Sequence, residues 1–265
     1  MKWGFLSRLF SSVRRRRILD VASLSACGLV RADNQDHFLV NRGRAFFCVA
    51  DGMGGGEGGA EASDIVCRCI GKAVACRTPF PERVHRAAEA IRTANREIRA
   101  YAQKAGYRQM ATTVTVFAVD ERAKDPSAVI GYVGDSRVYR IRDGAVAQLT
   151  HDHTMAGELS RRGSMKGLSE GLGLRVGKLS HVLTRAVGIE SEVQPDWKKV
   201  DLREGDWILI CSDGVYDMVS DEGIREAFAA GGRAEDVAAR LERKTLDGGA
   251  VDNYTMVVVK VGGMR

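Results

Sequence analysis

Phe46-Phe47-Cys48-Val49-Ala50-Asp51-Gly52 is a run of apolar, strand-forming residues that ends on an aspartate beside glycine. The pattern recurs in Tyr132-Val133-Gly134-Asp135 and in Ile208-Leu209-Ile210-Cys211-Ser212-Asp213-Gly214. Gly249-Ala250-Val251-Asp252-Asn253 sets a fourth aspartate in a glycine-rich turn before the last apolar run. A buried strand holds its end rigidly, and glycine lets the backbone turn close to whatever the carboxylate meets. Such aspartates are placed like ligands, although any single Asp-Gly also reads as a plain turn. Four carboxylates gathered without a cation would repel by up to ~4 kcal/mol per pair at about 4 Å and an effective dielectric near ~20. Neither cysteine nor histidine accompanies them at metal-ligand spacing. The expected donor set is all oxygen, which suits Mg2+ or Mn2+ rather than Zn2+.

Outward from these runs the chain alternates short strands and helical blocks. Segments 19–30, 37–40, 45–50, 111–120, 128–134, 137–142 and 145–150 are short, rich in β-branched or aromatic residues and broken by turns such as Asp143-Gly144. They read as antiparallel strands. Ala60 to Ala75 and Pro81 to Ala105 carry helical periodicity, the second with Val84, Ala87, Ala88, Ile91, Ala94 and Ile98 as its apolar stripe. Two helices inserted after a hairpin imply a layer over one sheet face. Helices at 222–229 and 234–244, with strands at 196–201, 206–212 and 255–261, complete an α+β pattern.

Eight segments occur in an order that resembles the motifs of the metal-dependent Ser/Thr protein phosphatases, the PPM or protein phosphatase 2C-like family, in a bacterial version. They are Gly28-Leu29-Val30-Arg31-Ala32-Asp33-Asn34-Gln35-Asp36, Val49-Ala50-Asp51-Gly52-Met53-Gly54-Gly55, Ala111-Thr112-Thr113, Val133-Gly134-Asp135-Ser136-Arg137, Leu149-Thr150-His151-Asp152-His153, Leu183-Thr184-Arg185-Ala186-Val187-Gly188, Cys211-Ser212-Asp213-Gly214-Val215-Tyr216-Asp217 and Asp252-Asn253-Tyr254-Thr255. The resemblance implies a four-layer αββα sandwich, two antiparallel sheets flanked by helix pairs, with a binuclear metal site at one end. It implies that Asp51 bridges two Mn2+ or Mg2+ ions, that Asp213 and Asp252 complete the first, and that the Gly52 carbonyl binds the second. Asp36 would hold water on the ions from behind. Asp135, with Asp213 and Asp217, would take a third, weaker ion. Arg31 matches the phosphate-binding arginine, whose planar fork can meet two phosphate oxygens at once.

The implied reaction is hydrolysis of phosphoserine and phosphothreonine in proteins, opposing a bacterial Ser/Thr kinase, with that kinase and its substrates as partners. Activity should need added Mn2+ or Mg2+ and vanish in chelator. Some features depart from the family pattern. Met53 stands where eukaryotic members usually carry a proton-donating histidine, Gly56 replaces another histidine, the glutamate expected at Ala60 lies at Glu61, and Ala111 replaces a glycine. None removes an expected metal ligand. A catalytically weak phosphoprotein-binding module of the same fold is the alternative, and it should show a broken aspartate set, whereas this set is whole.

Composition fits one soluble catalytic domain over 18–265 behind a basic tail over 1–17. With 265 residues, 45% of them apolar, the chain can bury a substantial core. The net charge of +6 sits in the tail, where Lys2, Arg8 and Arg14 to Arg17 supply six positives without an acid. The remainder balances to neutrality, which argues against nucleic-acid binding. The tail mixes those charges with Trp3, Phe5, Leu6, Leu9 and Phe10, so contact with anionic lipid is open, and a frayed leader is the plainer reading. No apolar stretch reaches the roughly 18 residues of a membrane span. Six cysteines without zinc or disulfide spacing point to a reducing, cytoplasmic setting, and a monomer is expected. Residues 155–180 are expected to form the family's flap, with Arg161, Arg162, Lys166, Arg175 and Lys178 either reading substrate or facing solvent. His151 and His153 are expected to be structural, and His37, His85 and His181 carry no chemical signal.

Overall fold

The computed structural model describes residues 17–53, 57–161 and 179–264, and among these the strands build two sheets. One runs in the order β1 (Arg17–Ala26), β11 (Tyr254–Met264), β10 (Trp207–Cys211), β7 (Arg137–Arg142), β8 (Ala145–Gln148). The other runs β2 (Asp36–Asn41), β3 (Phe46–Met53), β5 (Val114–Val119), β6 (Ser127–Val133), β9 (Asp196–Asp201), with the two-residue β4 (Ala111–Thr112) paired to β3. Neighbouring strands pair antiparallel throughout.

The uninterrupted apolar runs follow from burial on both faces. Successive side chains of a strand point to opposite sides, so a strand covered on one side alternates and a strand covered on both does not. Along β3, Phe47 and Val49 enter the core between the sheets, whereas Phe46, Cys48 and Ala50 enter a second core. That outer core is closed by α1 (Glu57–Ala75) and α2 (Phe80–Ala105). Along β10, Ile208 and Ile210 point inward while Leu209 and Cys211 meet α5 (Asp221–Ala229) and α6 (Ala234–Asp247), numbered after the short helices α3 (Met155–Arg161) and α4 (Asp213–Tyr216). Three cores separate four layers, the sandwich that the resemblance implied. Phe47 and Phe117 are fully buried between the sheets, and truncating either to alanine would cost about 3–5 kcal/mol.

Several expectations need correction. The strand expected over 19–30 stops at Ala26, because Gly28 turns at φ +78 and a Cβ there would lie 2.3 Å from the Asp252 carbonyl oxygen. The strand expected over 111–120 breaks at Thr113, and residues 155–161 and 213–216 are helical. On α2 the buried face includes Arg83 and Ala90, with Val84 and Ala88 only half-buried. Arg83 is tolerated there because its guanidinium donates to the Arg44 carbonyl and pairs with Glu121. Arg17, assigned to the tail, opens β1, and its guanidinium donates to the Gly262 carbonyl at 3.0 Å. Residues 1–16, the glycines at 54–56 and most of the expected flap lie outside the described residues.

Candidate metal centre

Strand ends from both sheets meet at one end of the sandwich. In the β2–β3 ladder Asp36 and Asp51 are directly opposite, so register places their carboxylates side by side. Asp135 follows β6 in the turn to β7, Asp213 opens α4 at the end of β10, and Asp252 lies two residues before β11. Arg31, Asp51, Gly52, Met53, Asp135, Asp213 and Asp252 line a single cleft of about 800 Å³. Asp36 lies beside Asp51 and is only 4% exposed. Asp217 is exposed and does not line the cleft. Its carboxylate, that of Asp213 and the His181 imidazole place one donor atom each within 4.8 Å of one another.

The backbone around these carboxylates is tightly constrained. Asn253 staples three segments: its side-chain oxygen accepts from the Gln35 amide at 2.9 Å, and its amide donates to the carbonyls of Cys27 and Asp33, each at 2.9 Å. This draws the Arg31–Asp36 segment against Asp252, where the Arg31 guanidinium donates to Oδ2 at 2.6 Å. Gly52 has no room for a side chain, since a Cβ would lie 2.1 Å from the Gly59 carbonyl oxygen and 2.5 Å from that of Gln35. Across the cleft, Thr113 receives on its hydroxyl the Asp51 amide at 3.0 Å and lies 2.7 Å from the Ser136 hydroxyl. Behind Asp135, the His153 Nδ1 accepts from the Gly134 amide at 3.1 Å while the ring stacks on Tyr132. The Tyr216 hydroxyl donates to the Asp135 carbonyl at 3.2 Å, and its ring lies under the Arg137 guanidinium, which grips Asp152.

Burial makes this cluster electrostatically expensive. Desolvation pushes Asp36 up to about 7, partly offset by the Ser212 hydroxyl, which donates to Oδ2 at 2.7 Å. The Asp36 Oδ1 is buried and has no hydrogen-bond partner. Asp51 is driven well above the carboxylate range by burial and then by the charges of Asp36, Asp213 and Asp135. Desolvation raises Asp135 to about 7 and Asp213 to about 6, the latter also repelled by Asp217 and Asp252. Arg31 is the one arginine or lysine lining the cleft among the described residues. One guanidinium does not balance five convergent carboxylates, and an orphaned buried oxygen asks for a donor or a cation. Hard oxygen ligands in this number fit Mg2+ or Mn2+.

Most of the constellation was visible in the sequence. Unseen were the braces, Ser212, Asn253, Tyr216 and the Arg137–Asp152 pair, which adjoin the aspartates in the motifs but carry no separate signal. His181 was given no role and yet lines the cleft, 3.7 Å from Asp217. His153, expected to be structural, is buried and held between Gly134, Arg185 and Asp196, and burial lowers its pKa.

Comparison with known proteins finds relatives that share this fold. The protein phosphatase 2C family model matches residues 28–245. Protein phosphatase PhpP of Streptococcus pneumoniae is 30% identical over 248 residues, covering 92% of this chain and 98% of PhpP. The crystal structure of the catalytic domain of the serine/threonine phosphatase PstP, in complex with two manganese ions, superimposes with a TM-score of 0.79 at 32% identity over 93% of this chain and all of that one. PppA, described as a key regulatory component of T6SS in Pseudomonas aeruginosa, gives a TM-score of 0.80 at 27% identity over 93% of this chain and 99% of its own.

Proposed function

Since this chain belongs to the protein phosphatase 2C family, we propose that it hydrolyses phosphoserine and phosphothreonine in proteins with two divalent ions, Mn2+ or Mg2+, held around Asp51. The observation that carries this reading is the convergence of Asp36, Asp51, Asp135, Asp213 and Asp252 from both sheets, with Arg31 on the wall of the same cleft. In our assignment the two ions would be held by Asp51, shared between them, by Asp213 and Asp252 on the first and by the Gly52 carbonyl on the second. Asp135, with Asp213 and Asp217, offers the third position. When bound, such ions lower the pKa of a shared water and neutralise phosphoryl charge, so no protein nucleophile is required.

The remaining work falls to the chain. Asp36, buried and with Oδ1 unpartnered, can accept a proton from a water or orient it. Arg31 is 57% exposed and presents donors to an incoming phosphate while Asp252 anchors its other edge. Met53 lines the cleft but has no proton to give, so the leaving alkoxide takes its proton from solvent rather than from a side chain at that position.

The substrates are phosphorylated proteins, and the partner is a Ser/Thr kinase together with its targets. We place the enzyme in the cytoplasm, a reading supported by six cysteines outside any disulfide, and we expect a monomer. No helix among the described residues is long and apolar enough to cross a membrane. We treat residues 17–265 as one catalytic unit, since Arg17 opens β1, with the rest of the basic tail outside it. Hydrolysis of p-nitrophenyl phosphate and of a phosphothreonine peptide, with Mn2+ and then with chelator, tests the proposal. A well-folded sample that turns over neither substrate with Mn2+ would sink it.

A further inference from the structure

Large apolar side chains are exposed at eleven described positions; of these Val182 lines the cleft, Val30 and Val251 directly precede the lining residues Arg31 and Asp252, and Leu29 precedes Val30. Leu29 and Val30 are the most exposed of all eleven, at 67% and 69%, and Val251 is 51% exposed. Scattered apolar exposure is ordinary, whereas a concentration at the mouth of a binding cleft marks a contact surface.

The segment is also held in shape. The Leu29 amide donates to the Ala250 carbonyl at 2.8 Å, and Gly28 turns at φ +78 against the carbonyls of Ala250 and Asp252. Cys27 is tied through its carbonyl to Asn253, and Arg31 through its guanidinium to Asp252. The turn bearing Leu29 and Val30 is therefore stapled to the segment bearing Val251, with Arg31 between this lip and the carboxylates. An apolar platform fixed before binding avoids the ordering cost that a mobile loop would incur.

Building on the function proposed above, we propose that this lip selects phosphoprotein segments carrying an apolar side chain within about three residues of the phosphoserine or phosphothreonine. The occupant follows from continuity with the cleft. A phosphate seated beside Arg31 brings its own chain past residues 29 and 30, and an extended segment advances about 3.3 Å per residue, so a near neighbour reaches the lip. Carboxylates dominate the cleft itself and offer such a side chain nothing. Leu29, Val30 and Val251 offer it apolar surface at the edge of the site.

The test is a series of phosphothreonine peptides in a serine-glycine background, with one leucine moved from three positions before to three positions after the phosphoresidue. The wild-type enzyme with Mn2+ should favour leucine at one or two of these positions by about five- to tenfold in kcat/KM, the effect of partly burying one leucine. The L29S/V30S double variant and, separately, V251S should erase the preference while p-nitrophenyl phosphate turnover and melting temperature stay at the wild-type values. A wild-type enzyme indifferent to the leucine overturns the proposal, as does a preference that survives both variants. So does a result in which L29S/V30S changes only self-association in sedimentation, since the lip would then serve a second copy of the chain. If the peptides without leucine and p-nitrophenyl phosphate are still hydrolysed, the phosphatase assignment stands apart from this failure.

Discussion

Replacing Asp135 with asparagine should stabilise the metal-free protein at neutral pH and do nothing at low pH. Asp135 is 6% exposed, and desolvation holds its carboxyl at about 7 in the fold, against roughly 4 in an unfolded chain. Below both values the group is protonated in either state and contributes no difference. Between them the unfolded chain has released the proton and the fold has kept it, so stability falls as pH rises. Above about 7 the loss is complete, about 4 kcal/mol at ~1.4 kcal/mol per decade. That is a large share of the roughly 5–15 kcal/mol that holds a domain together. His153 acts in the opposite sense, since its lowered pKa makes the fold gain stability as pH rises through the range of a free imidazole. The informative quantity is therefore the difference between D135N and wild type. Urea denaturation in chelator from pH 3 to 8 should show the two equal at the acid end, D135N ahead by about 1 kcal/mol at pH 4.5, and ahead by several kcal/mol at pH 7.5. Millimolar Mn2+ should then close the gap by neutralising the charge that the substitution removed. A gap independent of pH, or a wild type that is more stable in chelator at pH 7.5, would refute the electrostatic reasoning.

Asp51→Asn should abolish turnover of both p-nitrophenyl phosphate and phosphopeptide while leaving the circular dichroism spectrum intact, and retained activity would overturn its assignment as the bridge. Gly52→Ala should destabilise the protein by about 1–3 kcal/mol, because the new Cβ meets backbone rather than a movable side chain; chemical denaturation would show it. Arg31→Lys should lower kcat/KM by about 10- to 100-fold through loss of the bidentate fork, a drop that a charge-only role would not produce. Removing residues 1–16 should leave kcat unchanged, since β1 begins at Arg17, and a large loss of turnover would show that the tail acts on the core.

Much of the architecture could be read from local pattern because the strands are short, apolar and cut by glycine. Phe46 to Ala50 and Ile208 to Cys211 announce buried strands on composition alone, and the aspartates at their ends stand where ligands would. What failed did so where long-range contacts override local preference. Leu29 and Val30 look like strand residues, yet Asn253, more than 200 positions away, captures the carbonyl of Cys27 and ends β1 early. Arg83 reads as a surface residue of α2 until Glu121 and the Arg44 carbonyl are brought to it.

By itself the sequence determined the donor types: four aspartates at strand ends, an arginine five residues before a fifth, and no cysteine or histidine at metal-ligand spacing. Residue type and local backbone geometry suffice for that, since they are properties of neighbours in the chain. Only the tertiary structure decided that the five meet, because their meeting depends on two sheets packing face to face so that β2, β3 and β6 end beside β7, β10 and β11. Register made Asp36 and Asp51 opposite neighbours, and burial between the sheets turned ordinary carboxylates into a cluster that a cation stabilises. The exposed lip at Leu29 and Val30 likewise depends on distant partners, Asn253, Ala250 and Asp252, that fold that turn back.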